Sequence, residues 1–316
     1  MEIWLPRANR CKNNFKVADR VGIIDLGSNT FHLLIVDWLP DGTFTTVYKG
    51  RAFVGLAEDG IEMLSAKAIK KGIETLTDFK KTLSKYQTDK FKVVGTAALR
   101  SAKNSSDFIN DVRHLLGFEV EVIAGNREAD LIYKGVKVLY PMTDNHLIMD
   151  IGGGSVEFIV IKDGKNIWAG SYNIGVGVLH NAFHKSEPIS AHEARSLKEF
   201  LYDQLSELKK VTKDLNIISM IGASGSFEVV ESMNGKAVST DSISKVTLSD
   251  YKSVSSKITQ ASFEERSQME GLPASRTKLI VVAMILIDVV IDIIEPSEII
   301  ISPFALKEGL LSELKT

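Results

Sequence analysis

Two six-residue segments repeat one set of chemical groups: Asp25-Leu26-Gly27-Ser28-Asn29-Thr30 and Asp150-Ile151-Gly152-Gly153-Gly154-Ser155. Each carries a carboxylate, then an aliphatic residue, then glycine and small polar residues. The N–H groups of such a tight turn form a concavity for an anion, and the Ser, Asn and Thr side chains add donors. Glycine lets the backbone approach a ligand that a Cβ would hold off. An Asp beside a bound phosphate repels it unless a cation or an ordered water lies between them. Asp25 and Asp150, with Glu157 just beyond the second loop, are therefore read as hard oxygen ligands for a divalent ion, Mg2+ by preference. A lone Asp-x-Gly-Ser turn is a common hairpin device. Its repetition, and three glycines in a row at 152–154 where a plain hairpin needs one or two, favour phosphate binding.

These loops need strands on both sides, and the pattern supplies them. Apolar runs at 21–24 and 146–149 precede the loops, and runs at 31–36 and 156–161 follow them. The first half then reads as strands 21–26, 31–38 and 43–49, a helix capped by Ser65, strand 91–95, helix 107–116 stopped by Gly117, strand 119–123 and helix 127–139. The second half repeats it with strands near 146–151, 156–161 and 166–173. A long helix follows, opened by the capping box Ser190-Ala191-His192-Glu193 and carried through Leu208. Strand 217–221 then runs into Gly222-Ala223-Ser224-Gly225-Ser226, a third small-residue loop at a helix N-terminus, where unpaired N–H groups favour an anion. A tight strand-to-helix turn accounts for this third loop equally well. The repetition implies a duplicated fold with one phosphoryl group held between the halves.

Composition sets the outer bounds. A chain of 316 residues exceeds one compact core, so two domains are expected. Ordinary apolar and charged fractions exclude disordered and fibrous classes. A net charge of −2 gives no global attraction to a polyanion, which argues against nucleic acid and leaves any phosphate-rich ligand to local loops and cations. One cysteine, Cys11, permits no internal disulfide and points to the cytoplasm. Residues 1–20 hold five basic residues and no apolar run, so they read as an extension and not as a signal. The stretch 279–294 is too short for a membrane span and reads as a buried helix, with Asp288 and Asp292 as a solvated stripe on one face. The six His residues lack metal spacing.

A duplicated unit of three hairpin strands and two further strands resembles the ribonuclease H-like fold of actin, heat-shock chaperone ATPases and sugar kinases: α/β, two domains, an interdomain cleft. Within it, four passages resemble the exopolyphosphatase and guanosine pentaphosphate phosphatase family, in its short two-domain form. They are 24–32, with the first loop; 94–100, Val-Gly-Thr-Ala-Ala-Leu-Arg; 125–133, Gly-Asn-Arg-Glu-Ala-Asp-Leu-Ile-Tyr; and 149–157, with the second loop. Gly222, Ala223, Ser224 and Gly225 make a fifth. The resemblance implies that Glu128 is the general base of phosphoanhydride hydrolysis. Arg100, just past a strand end, is the candidate guanidinium clamp on phosphate oxygens. The phosphate contacts are expected from Gly27, Ser28, Asn29, Thr30, Gly152, Gly153, Gly154, Ser155, Gly222, Ser224 and Gly225.

The expected activity is Mg2+-dependent release of terminal orthophosphate from inorganic polyphosphate. The alternatives are guanosine pentaphosphate 5′-phosphatase, an ATP-dependent small-molecule kinase of the same fold and a non-catalytic nucleotide-binding scaffold, with Glu128 in its Gly-Asn-Arg-Glu-Ala context arguing against the last two. A homodimer is left open, and neither nucleic acid nor membrane is expected as a partner. The first domain is expected over 21–131 plus 304–316, the second over 132–303. The chain departs from the family at Val281-Val282-Ala283-Met284, in place of a small Pro-Gly segment, and at Lys307, in place of Arg. Bulk at 282–284 is expected to reshape the substrate pocket.

Overall fold

The computed structural model describes residues 2–3, 18–58 and 60–315. Its first elements are β1 (Glu2–Ile3), β2 (Ala18–Leu26), β3 (Thr30–Trp38), β4 (Phe44–Phe53), α1 (Ala66–Lys85), β5 (Lys90–Gly95), α2 (Ala97–Ser101), α3 (Ser105–Leu116) and β6 (Val120–Val122). Next come α4 (Gly125–Leu139), β7 (His146–Ile151), β8 (Val156–Lys162), β9 (Lys165–Tyr172), α5 (Val176–Phe183), α6 (Ala191–Gln204) and α7 (Ser206–Thr212). The last are β10 (Ser219–Gly222), α8 (Gly225–Met233), β11 (Ser244–Thr247), α9 (Leu248–Gln260), α10 (Phe263–Ser267), α11 (Ile280–Ile294), β12 (Glu298–Ile301) and α12 (Leu306–Leu311).

The elements gather into two compact units, Met1–Ala124 with Leu310–Thr316, and Gly125–Gly309. The boundaries expected after 131 and 303 thus fall elsewhere, and two glycines give the reason. A Cβ on Gly135 would lie 1.9 Å from the Ala305 carbonyl oxygen, and one on Gly309 would lie 1.9 Å from that of Leu131. Helix α4 and the segment 305–309 therefore pack backbone on backbone, and both stay in the second unit. Most of the expected extension lies outside the described residues. Its end, residues 18–20, is strand: the Arg20 guanidinium bonds both Asp37 oxygens on β3, at 2.7 and 2.8 Å, and holds the start of β2 to the sheet.

The first sheet has the order β1-β4-β3-β2-β5-β6 and the second β11-β12-β10-β7-β8-β9. Five strands correspond one to one. In each unit a meander of three antiparallel strands (β2–β4, β7–β9) is continued by two parallel ones (β5 and β6, β10 and β12). This is the duplicated ribonuclease H-like fold. The sixth strand differs, β1 being added beside β4 and β11 beside β12, both antiparallel. Central strands are apolar on both faces, as in Val156 and Phe158 to Ile161 of β8, because helices cover both sides.

Local signals set the helix ends. Ser65 caps α1 by accepting from Ala68 N–H, Gly117 ends α3 in the left-handed conformation, and Ser190 with Glu193 forms the capping box of α6. The long helix expected through Leu208 breaks at Leu205, which stays buried while its backbone leaves helical angles. Helix α11 is buried on nearly all sides, with Val281, Val282, Ala283 and Met284 inside the second unit's core. Their bulk fills that core. Among the described residues no helix is long and apolar enough to cross a membrane.

The stripe on α11 also departs from expectation. Asp292 accepts from Tyr202 Oη, but Asp288 is half-buried beside Tyr251 Oη (2.8 Å) and Ser255 Oγ (3.2 Å). Tyr251 Oη also lies 2.9 Å from the Met284 carbonyl oxygen. Tyr251 Oη faces both acceptors, and its one phenolic proton is shared between the Asp288 carboxylate and the Met284 carbonyl. Burial raises the Asp288 pKa above its ordinary 3.8, against the lowering pull of the two hydroxyls and Lys198. The native state therefore holds the Asp288 proton to higher pH than the unfolded chain does. Its stabilising share is complete below 3.8 and is lost as pH climbs through the raised value. Asp288→Asn, which stays neutral at every pH, is expected to be the more stable protein at pH 8, with the advantage gone below pH 3.8. Urea denaturation of both proteins across that range checks it.

Candidate functional site

The second loop joins β7 to β8. Gly152 N–H donates to the Ser155 carbonyl (2.9 Å), as Gly27 N–H does to Thr30 in the first loop (3.2 Å). A Cβ on Gly152 would lie 2.9 Å from that acceptor oxygen, and one on Gly27 would lie 2.8 Å from its own. Neither glycine adopts a positive φ. Glycine at 27 and 152 is thus required by the closure of the hairpin itself, and not first by ligand approach.

The three glycines of the second loop rest on α5. The carbonyls of Gly152, Gly153 and Gly154 accept from Val176, Gly177 and Gly175 N–H at 3.0, 2.9 and 3.2 Å. The first N–H groups of α5 are spent on the loop in this way. In a trans peptide the N–H points opposite to the C=O. The N–H groups of Gly153, Gly154 and Ser155 accordingly face away from α5, an arrangement of donors that suits an anion. Gly175 permits this contact, since its Cβ would sit 2.5 Å from backbone atoms of Gly153 and Gly154.

The first unit builds the same device with different supports. Ser28 C=O accepts from Ala57 N–H, and Asn29 C=O from Val54 and Gly55 N–H, at 2.8–3.0 Å. The N–H groups of Asn29 and Thr30 are turned the other way. Two hydroxyls expected to face phosphate are engaged inside the protein. Ser28 Oγ accepts from Ala98 N–H at the start of α2 (3.1 Å), and Ser155 Oγ donates to Glu157 Oε1 (2.7 Å).

The strand register sets the carboxylates. Asp150 lies opposite Glu157 across β7 and β8, and Asp25 lies opposite His32 at the matching position of β2 and β3. Glu157 is 2 % exposed, and Ser171 Oγ donates to the same Oε1 at 2.7 Å. Glu128 stands in the first turn of α4 and is 7 % exposed. Arg100, in α2, donates from Nη1 to the Ile123 carbonyl at 3.0 Å.

Asp150, Glu157, Glu128 and the loops 152–155 and 222–225 all belong to the second unit; Asp25, loop 27–30 and Arg100 belong to the first. Within the second unit β10 lies beside β7 with Gly222 level with Met149, and Ala223 N–H donates to the Met149 carbonyl (3.0 Å). The third loop therefore flanks the second. Ser224, at the N-cap of α8, makes no side-chain cap, and its buried Oγ has no partner in the structure. A neighbour from later in the chain, Arg276, carries no sequence signal. A Cβ on Gly225 would lie 1.8 Å from Arg276 Nη2 and 2.4 Å from its Cζ. Arg276 comes just before the apolar run of α11, a place where a cation belongs to no pattern, so only the structure reveals it. A groove of about 330 Å³ between α6, α9 and α11, with Asp288 and Asp292 in its wall, includes none of these loop residues.

The model of the Ppx/GppA phosphatase family matches residues 36–316. The chain belongs to the Ppx/GppA phosphatase family. It is similar to the guanosine-5'-triphosphate,3'-diphosphate pyrophosphatase of Aeromonas salmonicida, at 30% identity over 91% of this chain and 58% of that protein. The chain thus spans under two thirds of that relative's length. Among solved structures it is similar to an exopolyphosphatase from Cytophaga hutchinsonii, with a TM-score of 0.90 and 31% identity over 94% of this chain and 97% of that one. The Aquifex aeolicus Ppx/GppA family member superposes with a TM-score of 0.78 at 27% identity, covering 94% and 97%.

In this Ppx/GppA chain, no three His, Cys, Asp or Glu side chains gather into a metal cage among the described residues. Asp150 and Glu157, paired across β7 and β8, are the hard oxygen donors beside the second loop that a divalent ion would use. Glu157 Oε1 is already engaged, accepting protons from both Ser155 Oγ and Ser171 Oγ.

Proposed function

We propose that this chain is an exopolyphosphatase, releasing orthophosphate from the end of an inorganic polyphosphate chain with the help of Mg2+. The observation that carries the reading is the loop 152–155. Its three carbonyls are tied to α5 and its N–H groups are turned outward, beside a second small-residue loop with an uncommitted hydroxyl and the Arg276 cation. In this reading Gly153, Gly154 and Ser155 N–H and Arg276 hold the oxygens of the terminal phosphoryl group, and the N-terminus of α8 with Ser224 holds the next phosphate. Glu128 takes a proton from a water whose oxygen attacks phosphorus as the bridging P–O bond breaks; the shortened chain leaves as its phosphate. Asp150 holds the Mg2+, which when bound draws charge from the phosphate oxygens. The outward N–H groups of Asn29 and Thr30, with Arg100, form a further anion site in the first unit.

A second reading, hydrolysis of guanosine pentaphosphate, is favoured by the likeness to the Aeromonas protein. Steady-state phosphate release from polyphosphate, guanosine pentaphosphate and ATP, compared at one Mg2+ concentration, separates the readings. Polyphosphate is expected to give the highest kcat/KM, roughly tenfold above the others. A tenfold preference for guanosine pentaphosphate would transfer the assignment to the second reading, and phosphate transfer from ATP to a small molecule would indicate a kinase.

A further inference from the structure

Arg266, in α10, is the largest fully buried side chain among the described residues, and none of the loops contains it. Removing a guanidinium from water costs several kcal/mol unless its donors and charge are met. Here three nitrogens meet three different segments. Nη1 donates to the Ala261 carbonyl at the end of α9 (2.6 Å), Nη2 to Glu187 Oε1 (2.8 Å) and Nε to the Thr277 carbonyl (3.2 Å). Of these partners only Glu187 supplies opposite charge. The other two bonds fix backbone, and the planar fork of arginine sets all three directions at once.

The third segment is the one that bears Arg276. On its other side, the Arg276 carbonyl accepts from Leu279 and Ile280 N–H at 3.1 and 3.0 Å, where α11 begins. The peptide on which Arg276 sits is thus tied forward to α11 and, one residue on, to Arg266. Its side chain has little latitude, because the guanidinium occupies the space that a Cβ on Gly225 would need. A shift of the Thr277 carbonyl would lift Arg276 from the loop or press it into the loop.

We propose that Arg266 is a positioning residue that holds the 273–279 segment so that the Arg276 guanidinium lies against loop 222–225 in register for a phosphate oxygen. This rests on the reading of Arg276 as a phosphate contact given above. Arg266→Met removes the fork at similar volume, and Arg266→Lys keeps the charge beside Glu187 while giving up at least one carbonyl. Both are compared with Arg276→Ala and with the double variants, using polyphosphate kinetics and thermal denaturation. Arg266→Met is expected to lower kcat/KM roughly tenfold in the parent and to leave it unchanged in the Arg276→Ala background, with its loss of Tm equal in both. Arg266→Lys is expected to recover part of kcat/KM, and it carries the same cycle if Arg266→Met does not fold. An equal kinetic loss in both backgrounds, or a folded Arg266 variant with parental kcat/KM, overturns the proposal. If Arg276→Ala alone leaves kcat/KM unchanged, it is the phosphate reading of Arg276 that fails. Positioning is then decided by the Arg276 Nε–Hε resonance in NMR, which Arg266→Met is expected to shift and whose constancy would refute it.

Discussion

Glu128→Gln is expected to lower kcat for polyphosphate by roughly 10²-fold or more while KM stays within a factor of a few. The amide has the shape of the carboxylate and cannot take a proton from the attacking water, so the loss falls on the chemical step. Glu128 is nearly buried in the first turn of α4, and an isosteric change there leaves the packing of that helix against β8 and β9 in place. Circular dichroism and Tm should match the parent, which separates the effect from misfolding. Turnover near the parental value in that variant would falsify the assignment of the base.

A comparable loss is expected from Gly175→Ala, a change far smaller in chemistry. The added methyl would lie 2.5 Å from the carbonyl carbon and oxygen of Gly153 and from the carbonyl carbon of Gly154, all backbone atoms that cannot swing aside. Either α5 retreats or the loop does, and in both cases the three N–H donors that orient the glycine carbonyls are lost. The overpacking should cost roughly 1–3 kcal/mol of stability. Activity should fall much further than that, about 10²-fold in kcat/KM, because a cradle of amides misplaced by an ångström no longer fits the transition state. The check is kinetic measurement well below the variant's own Tm. A Gly175→Ala protein with parental kcat/KM would show that the loop's orientation does not matter to phosphate.

Much of this architecture is legible in local patterns. The two Asp-x-Gly loops, the alternation of strand and helix on either side of them, the Ser65 and Ser190 caps and the Gly117 stop each act within a few residues, through steric and hydrogen-bonding rules that need no partner from afar. The repeat of one loop in two places announces a duplication, and five strands of each sheet carry it in the same order. Less legible is the short antiparallel strand β11, whose four residues gain their form only by pairing with β12. So is the break at Leu205, where the apolar spacing continues through a change of helix.

Where the small-residue loops lie, and which half of the chain each comes from, is written in the amino-acid order, because turn chemistry depends on neighbours along the backbone. How their groups are used was settled only in the folded chain. Folding turned the Ser28 and Ser155 hydroxyls inward, gave the glycine carbonyls to α5, sank Asp288 among hydroxyls and laid Arg276 on Gly225. Most of those outcomes rest on contact between residues far apart in the chain. Such contacts follow from packing and from the satisfaction of buried polar groups, which no local pattern records.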